Sequence, residues 1–235
     1  MEQVQEKKQM SDSILLGILL ILAGGFLDAY TYLCRGEVFA NAQTGNIVLL
    51  GLSLAQGQWR TALQYVLPIV VFALGVLLAG KLKWQQQQRN RLHWRQVVLL
   101  LEIVLLFGTA FLDGRWNWLV NSIISFVCAL QVESFRKIHG NAYASTMCTG
   151  NLRIAAEAMC SYQRTGDAAQ RSKSVLNYLL VAAFMAGAFL EAVLTQVFAY
   201  KAVLLDLLPL FLCFVLMFHK EDNMELIFKR KPMKE

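Results

Sequence analysis

Apolar residues along this chain fall into five long blocks, at 14–27, 66–80, 97–111, 179–190 and 203–218. With their flanks these approach the roughly 20 residues that a helix needs to cross a hydrocarbon core. Polar breaks separate them, and 81–95 is the most hydrophilic stretch of all. Shorter apolar runs follow two polar segments, and the first of these, 47–55, covers only about half a bilayer at 1.5 Å per residue. The pattern predicts an all-α polytopic membrane protein with about six transmembrane helices and two short, re-entrant or broken ones. The long helices are expected over 13–33, 61–82, 96–112, 117–135, 175–198 and 202–219, with Pro68 near the start of the second, where proline is tolerated.

The two short helices begin alike. Thr44-Gly45-Asn46 and Thr149-Gly150-Asn151 stand 105 residues apart, and so do two acids upstream of them, Asp28 and Glu133. Such spacing marks an internal duplication. Phe72, Gly75 and Leu78 match Phe184, Gly187 and Leu190 at an offset of 112, and 202–219 is set against 96–112 at 106. Repeat one then covers about 13–112 and repeat two about 117–219. Together they form one transmembrane domain, 13–219, between a cytoplasmic segment 1–12 and a basic cytoplasmic tail 220–235.

Charge decides how the short helices lie. If neither crosses and the N-terminus is inside, only Arg35, Arg60, Arg115 and Lys201 of the 22 Lys and Arg residues fall outside. If both cross, the asymmetry nearly vanishes and Arg153 lands within a span. The positive-inside rule therefore favours six crossings. Three crossings per repeat invert one copy relative to the other, an arrangement in which interrupted helices at equivalent positions mark a substrate site.

A helix starting at Thr-Gly-Asn exposes unpaired N–H groups and a positive partial charge. Two such ends would bind a small polar or anionic solute, with Asn41, Gln43, Thr44, Gly45, Asn46, Thr149, Gly150 and Asn151 as candidate contacts. Helix capping by Thr or Asn is the plainer alternative. Asp28 and Glu133 join the candidate site, because acids inside apolar helices face the bundle interior and often carry protons or ions. They also suit a role as counter-charges to the helix ends. Tyr30 and Tyr32 stand within reach of Asp28. Arg153 is read as snorkelling to the surface, Glu102 as interfacial, and Gly75-x-x-x-Ala79 and Ala183-x-x-x-Gly187 as helix packing.

Composition closes other routes. The chain is 57% hydrophobic and 16% charged, with a formal net charge of +6, and its mean hydropathy is +0.46. Its cations cluster in loops without aromatic interleaving, so no nucleic-acid partner is expected. The five cysteines lack metal-ligand spacing and read as small apolar residues. His93, His139 and His219 form no helical pair, no hydrolase motif is present, and neither a metal nor a cofactor is expected. A cleaved leader behind Lys7 and Lys8 is rejected, because it would cut close to Asp28.

The runs Gly25-Phe26-Leu27-Asp28-Ala29-Tyr30-Thr31-Tyr32-Leu33 and Phe39-Ala40-Asn41-Ala42-Gln43-Thr44-Gly45-Asn46-Ile47-Val48 resemble the hallmark of the YoaK-like bacterial inner-membrane proteins, domain of unknown function 1275. The likeness covers nearly the whole chain. It implies the bacterial cytoplasmic membrane and does not imply a substrate. The expected function is a transporter or channel-like permease, proton- or ion-coupled if the acids titrate. The competing reading is a non-transport membrane protein, structural, regulatory or an intramembrane enzyme using the paired acids. The bilayer and a small solute are the expected partners, and self-association is left open.

Overall fold

The computed structural model describes residues 13–86, 94–138, 141–142 and 148–217. Segment 1–12, the tail 220–235, His93, His139, His219 and residues 143–147 before the second Thr-Gly-Asn lie outside the described residues. The elements in order are α1 (Ile14–Cys34), α2 (Gln43–Ala55), α3 (Trp59–Gln86), α4 (Trp94–Thr109) and α5 (Asn117–Ser134). A two-residue antiparallel hairpin, β1 (Lys137–Ile138) and β2 (Asn141–Ala142), precedes α6 (Cys148–Thr165), α7 (Ala168–Phe198) and α8 (Val203–Leu216). Short 3-10 turns at Gly114–Trp116 and Ala199–Ala202 lead into α5 and α8.

Side-chain caps explain several boundaries. Ser13 Oγ accepts the Leu16 N–H at 3.2 Å to start α1, and Asp167 Oδ1 accepts the Ala169 N–H at 2.9 Å to start α7. Asp113 caps its 3-10 turn, and the Arg115 guanidinium bonded to it holds its carboxyl below the usual carboxylate range. Gly57 and Gly166 end α2 and α6 at φ of 71° and 69°, so both stop by the same device. Only α2, at 13 residues, is short as expected; α6 has 18, more than α4 or α8, because its helical pattern continues through polar residues to Thr165. Three stretches are long and apolar enough to cross a membrane: Ile14–Cys34, Trp59–Trp84 and Ala168–Leu216, the last holding both α7 and α8. Pro68 sits well inside α3 rather than near its start, because α3 begins at Trp59.

The packing repeats itself. Helix α1 lies against α7, and α3 against α5; α2 packs on α3, and α6 on α7; α8 touches α1, and α4 touches α5. Exchanging α1–α4 for α5–α8 maps this set onto itself and leaves the α4–α8 contact in place. Burial gives each pair its register. Ala62, Tyr65, Pro68, Gly75 and Ala79 of α3 are buried, as are Ser174, Asn177, Leu180, Gly187 and Glu191 of α7, at the expected offset of 112. Asn46 and Ser53 of α2 match Asn151 and Ala158 of α6 at 105.

For α4 and α8 the expected offset of 106 is corrected to 104. Leu99, Glu102, Leu106 and Thr109 are fully buried, and so are Val203, Asp206, Leu210 and Cys213. At 106, Glu102 would instead match the exposed Leu208. Burial in α1 and α5 also agrees at 104, with Leu16, Leu20, Ala23 and Leu27 matched by Val120, Ile124, Val127 and Gln131.

Directions follow from hydrogen bonds. Asn121 Nδ2 donates to the Arg35 carbonyl and Gln131 Nε2 to that of Leu20, both at 2.9 Å, so α1 and α5 run antiparallel. Gly25 lies against Phe184, while Cys34 approaches Thr195, so α1 and α7 run parallel. Glycine sets the closeness of that crossing. A Cβ on Gly25 would strike the Phe184 carbonyl, and one on Gly187 the Leu22 carbonyl. On α3, a Cβ at Gly75 would come within 2.7 Å of Ala129 Cβ on α5.

Candidate functional site

The chain leaves α1 at Arg35, and Gly36 and Glu37 take positive φ of 90° and 59° to reverse it. It then travels back along α1. Asn41 N–H donates to Asp28 Oδ1 at 2.6 Å, Ala42 N–H donates to the same oxygen at 3.4 Å, and Asn41 Nδ2 donates to the Gly24 carbonyl at 3.0 Å. Gly24 and Asp28 precede Arg35 by two to three turns, so α2 begins deep beside α1, roughly 10–16 Å from the helix end.

Asn46 fastens the same entry. Its Oδ1 accepts the Phe39 N–H at 3.0 Å, and its Nδ2 donates to the Phe39 carbonyl at 2.6 Å and to Gln43 Oε1 at 3.0 Å. Gln43 Nε2 donates to the Ala40 carbonyl at 2.8 Å. Asn46, part of Gln43 and the N–H groups of Asn41 are thus spent on holding the loop, while Asn41 also lines the adjacent cavity and its Oδ1 has no hydrogen-bond partner among the described residues. Gly45 serves it too, since a Cβ there would lie 2.8 Å from the Phe39 ring.

What remains open faces a cavity of about 610 Å³ between α1, α2, α3, α6 and α7. Its polar wall carries Asp28, Gln43 and Thr44 from the first half, and Cys148, Thr149 and Gly150 from the second. The first turns of α2 and α6 therefore open into one space. A methyl group placed on Gly150 would meet nothing within 4 Å, so its backbone is open on that side. The rest is apolar, with Phe39, Phe72 and Phe184 supplying aromatic surface. The lining includes no Lys, Arg or His among the described residues.

Not every candidate arrives there. Asn151 is fully buried at the start of α6 and does not line the cavity. Glu133 lies in the last turn of α5, half-buried, with Arg136 at 3.4 Å. Burial register makes Val132, not Glu133, the counterpart of Asp28, and one residue turns a helix by about 100°. Arg153 is exposed and 3.9 Å from Glu157 on its own helix, away from the cavity. Tyr32 lines the cavity and stacks on Phe39 at 4.9 Å, whereas Tyr30 turns elsewhere.

Tyr30 belongs to a cluster that sequence reasoning missed. Arg35, placed in a loop by its charge, is 1% exposed. Its guanidinium donates to Tyr30 Oη and to the carbonyls of Thr109 and Leu112, and lies over the Tyr200 ring at 4.3 Å. It ties together the ends of α1 and α4 and the start of α8. Glu102, read as interfacial, is instead fully buried against α8, and Asp206 and Glu191 are fully buried as well. The matching acids Glu102 and Asp206 were the signal for the α4–α8 register.

The match to known proteins covers almost the same span as these helices. Residues 16–217 match the family described as a protein of unknown function, DUF1275. The chain belongs to that family. A curated relative, the UPF0700 transmembrane protein YoaK of Bacillus subtilis (strain 168), is 29% identical over 141 residues. That alignment covers 57% of this chain and 61% of the relative. No solved structure matches the chain. With its apolar helices, this DUF1275 member is a multi-pass membrane protein, and its relative is named a transmembrane protein.

Proposed function

We propose that this chain is a permease of the bacterial cytoplasmic membrane, moving a small polar solute by alternating access between two inverted halves. In this reading six helices cross, while α2 and α6 enter from opposite faces and return. The antiparallel α1–α5 pair and the exchange of contacts between the halves support the inversion. One observation carries the proposal. The repeat-equivalent starts of α2 and α6 open into a single cavity with Asp28 on its wall. Discontinuous helices meeting at a repeat interface are the usual setting of a transported solute.

The lining narrows the solute class. Asp28 without a cation beside it disfavours an anion, so a neutral or cationic group suits the polar wall. Phe39, Phe72 and Phe184 suit an apolar body attached to that group. Uptake of a panel of neutral and cationic solutes into proteoliposomes, with and without a pH gradient, tests this. Thr44→Ala and Thr149→Ala should each weaken the apparent affinity about fivefold, the value of roughly one hydrogen bond. No uptake of any solute by well-folded protein would shift the reading to a non-transport membrane protein.

A further inference from the structure

The densest charge inside the bundle lies away from the cavity. Helices α4 and α8 form the contact that exchange of the halves leaves in place. Glu102 and Asp206 occupy matched positions on them, each fully buried between buried apolar neighbours, Leu99 and Leu106 on α4 and Val203 and Leu210 on α8. Glu102 is within electrostatic reach of Asp206. None of the four carboxylate oxygens has a hydrogen-bond partner among the described residues. A third acid, Glu191 of α7, is within reach of Asp206 and fully buried. Its Oε1 accepts the Thr195 hydroxyl at 2.6 Å, while its Oε2 is buried without a partner among the described residues.

We propose that Glu102 and Asp206 form a proton-binding site in which one proton is shared between the two carboxyl groups. Two like charges in apolar surroundings repel strongly and lack solvation, so both cannot remain ionised. The neighbours offer no other remedy. Among the described residues, Cys128 of α5 and Cys213 of α8 are the remaining titratable groups within reach of both acids. Helix α1 brings Leu16, Leu20 and Leu27 to the same core, and its Asp28 acts on Cys128. Helix α3 brings Ala79 to Val98 of α4. Arg35 and Arg95 sit at opposite ends of these helices, Arg35 on Tyr30 and the Thr109 carbonyl, Arg95 on the Ser134 carbonyl at 2.8 Å. No group of three or more metal-binding side chains is present among the described residues. A proton on one carboxyl removes its charge and with it the repulsion between the two. Its loss leaves two like charges facing an apolar interior where the two halves join. The α4–α8 contact is thereby sensitive to pH, whether or not the chain transports a solute.

Infrared spectra of the full-length chain in nanodiscs, in H2O and D2O across neutral pH, read the site directly. The wild type should show the C=O band of a protonated carboxyl, lost in the Glu102→Gln/Asp206→Asn double variant and kept in Leu101→Ala, a change on the exposed face of α4. Either single variant should shift or weaken the band, because one carboxyl of the pair is gone. This keeps the test open if the double variant fails to fold. The wild-type melting temperature should fall as pH rises and the proton leaves, while that of the double variant stays flat. A band absent from the wild type at neutral pH, or unchanged in folded variants, overturns the proposal. So does a melting temperature raised by sodium in the wild type and not in the double variant, which would make a cation the occupant.

Discussion

Asp28 carries two duties that a substitution pair separates. Its Oδ1 holds the amides of Asn41 and Ala42, so it fixes the start of α2 whatever else it does. Asp28→Asn keeps an acceptor oxygen and should change stability by no more than about 2 kcal/mol, the upper range of helix-end electrostatics. Asp28→Ala leaves buried N–H groups unpaired and should cost a further ~1–3 kcal/mol. Detergent melting curves give both values. If Asp28→Asn melts like the wild type yet abolishes uptake, the carboxylate acts on the solute or its coupled proton. Early melting with normal uptake would leave it as structure alone. Asn46→Asp makes a sharper demand, since it sets a carboxylate oxygen against the Phe39 carbonyl where an N–H now donates at 2.6 Å. It should destabilise more than Asn46→Ala, measured by the same melts. Asn46 looked like a ligand in the sequence because a loop fastener and a solute contact use the same amide atoms, while Asn41 and Gln43 fasten the loop and line the cavity as well. Only the position of Phe39 separates the two roles.

Among the elements, the α3–α7 match was legible because Phe72, Gly75 and Leu78 recur unchanged in type in α7. The α4–α8 match was misplaced by two residues, since Leu- and Val-rich runs score almost equally in neighbouring registers. Only the acids, Glu102 and Asp206, break that degeneracy, and sequence alone does not reveal that both are buried. The equal spacing of Asp28 and Glu133 misled differently. The offset shifts from 104 in the first helices to 105 in α2 and α6, and this single residue moves Glu133 around α5 to Arg136. The cavity itself was not legible, because it depends on the depth at which the Thr-Gly-Asn helices begin. Glycine spacing, by contrast, foretold the close crossings. Gly187→Ala should cost several kcal/mol, or prevent folding, because its methyl meets the α1 backbone, which cannot yield as a side chain does. Gly51→Ala, in α2 with nothing within 4 Å, should stabilise by about 0.5–1 kcal/mol. Melting temperatures moving in opposite directions would bear this out, and equal shifts would deny it.

At the scale of the whole molecule, the surface is that of a body solvated by lipid. Leu63, Leu77, Val104, Phe189 and Leu208 are among its exposed side chains, each more than half exposed. Trp59 and Trp84 mark the two ends of α3, about 38 Å apart along the helix. That separation suits aromatic residues at the two interfaces of a bilayer about 40–45 Å thick with its headgroups. The termini of the helices sort into two groups. Arg35, the end of α4, the start of α5 and Tyr200 meet at one end, through Arg35 and Tyr30. At the other, Arg95 of α4 donates to the Ser134 carbonyl at the end of α5. The parallel run of α1 with α7 places the α6–α7 turn beside the start of α1, on this second side. Single cysteines in a background lacking Cys34, Cys128, Cys148, Cys160 and Cys213 test the arrangement in intact cells. Gln58→Cys and Arg115→Cys should react with an impermeant maleimide added outside. Trp84→Cys and Asp167→Cys should react only after the membrane is opened. Asp167 is the decisive position, because it lies in the turn between α6 and α7. Labelling of Asp167→Cys from outside would mean that α6 passes through the membrane, and α2 and α6 would no longer enter from opposite faces.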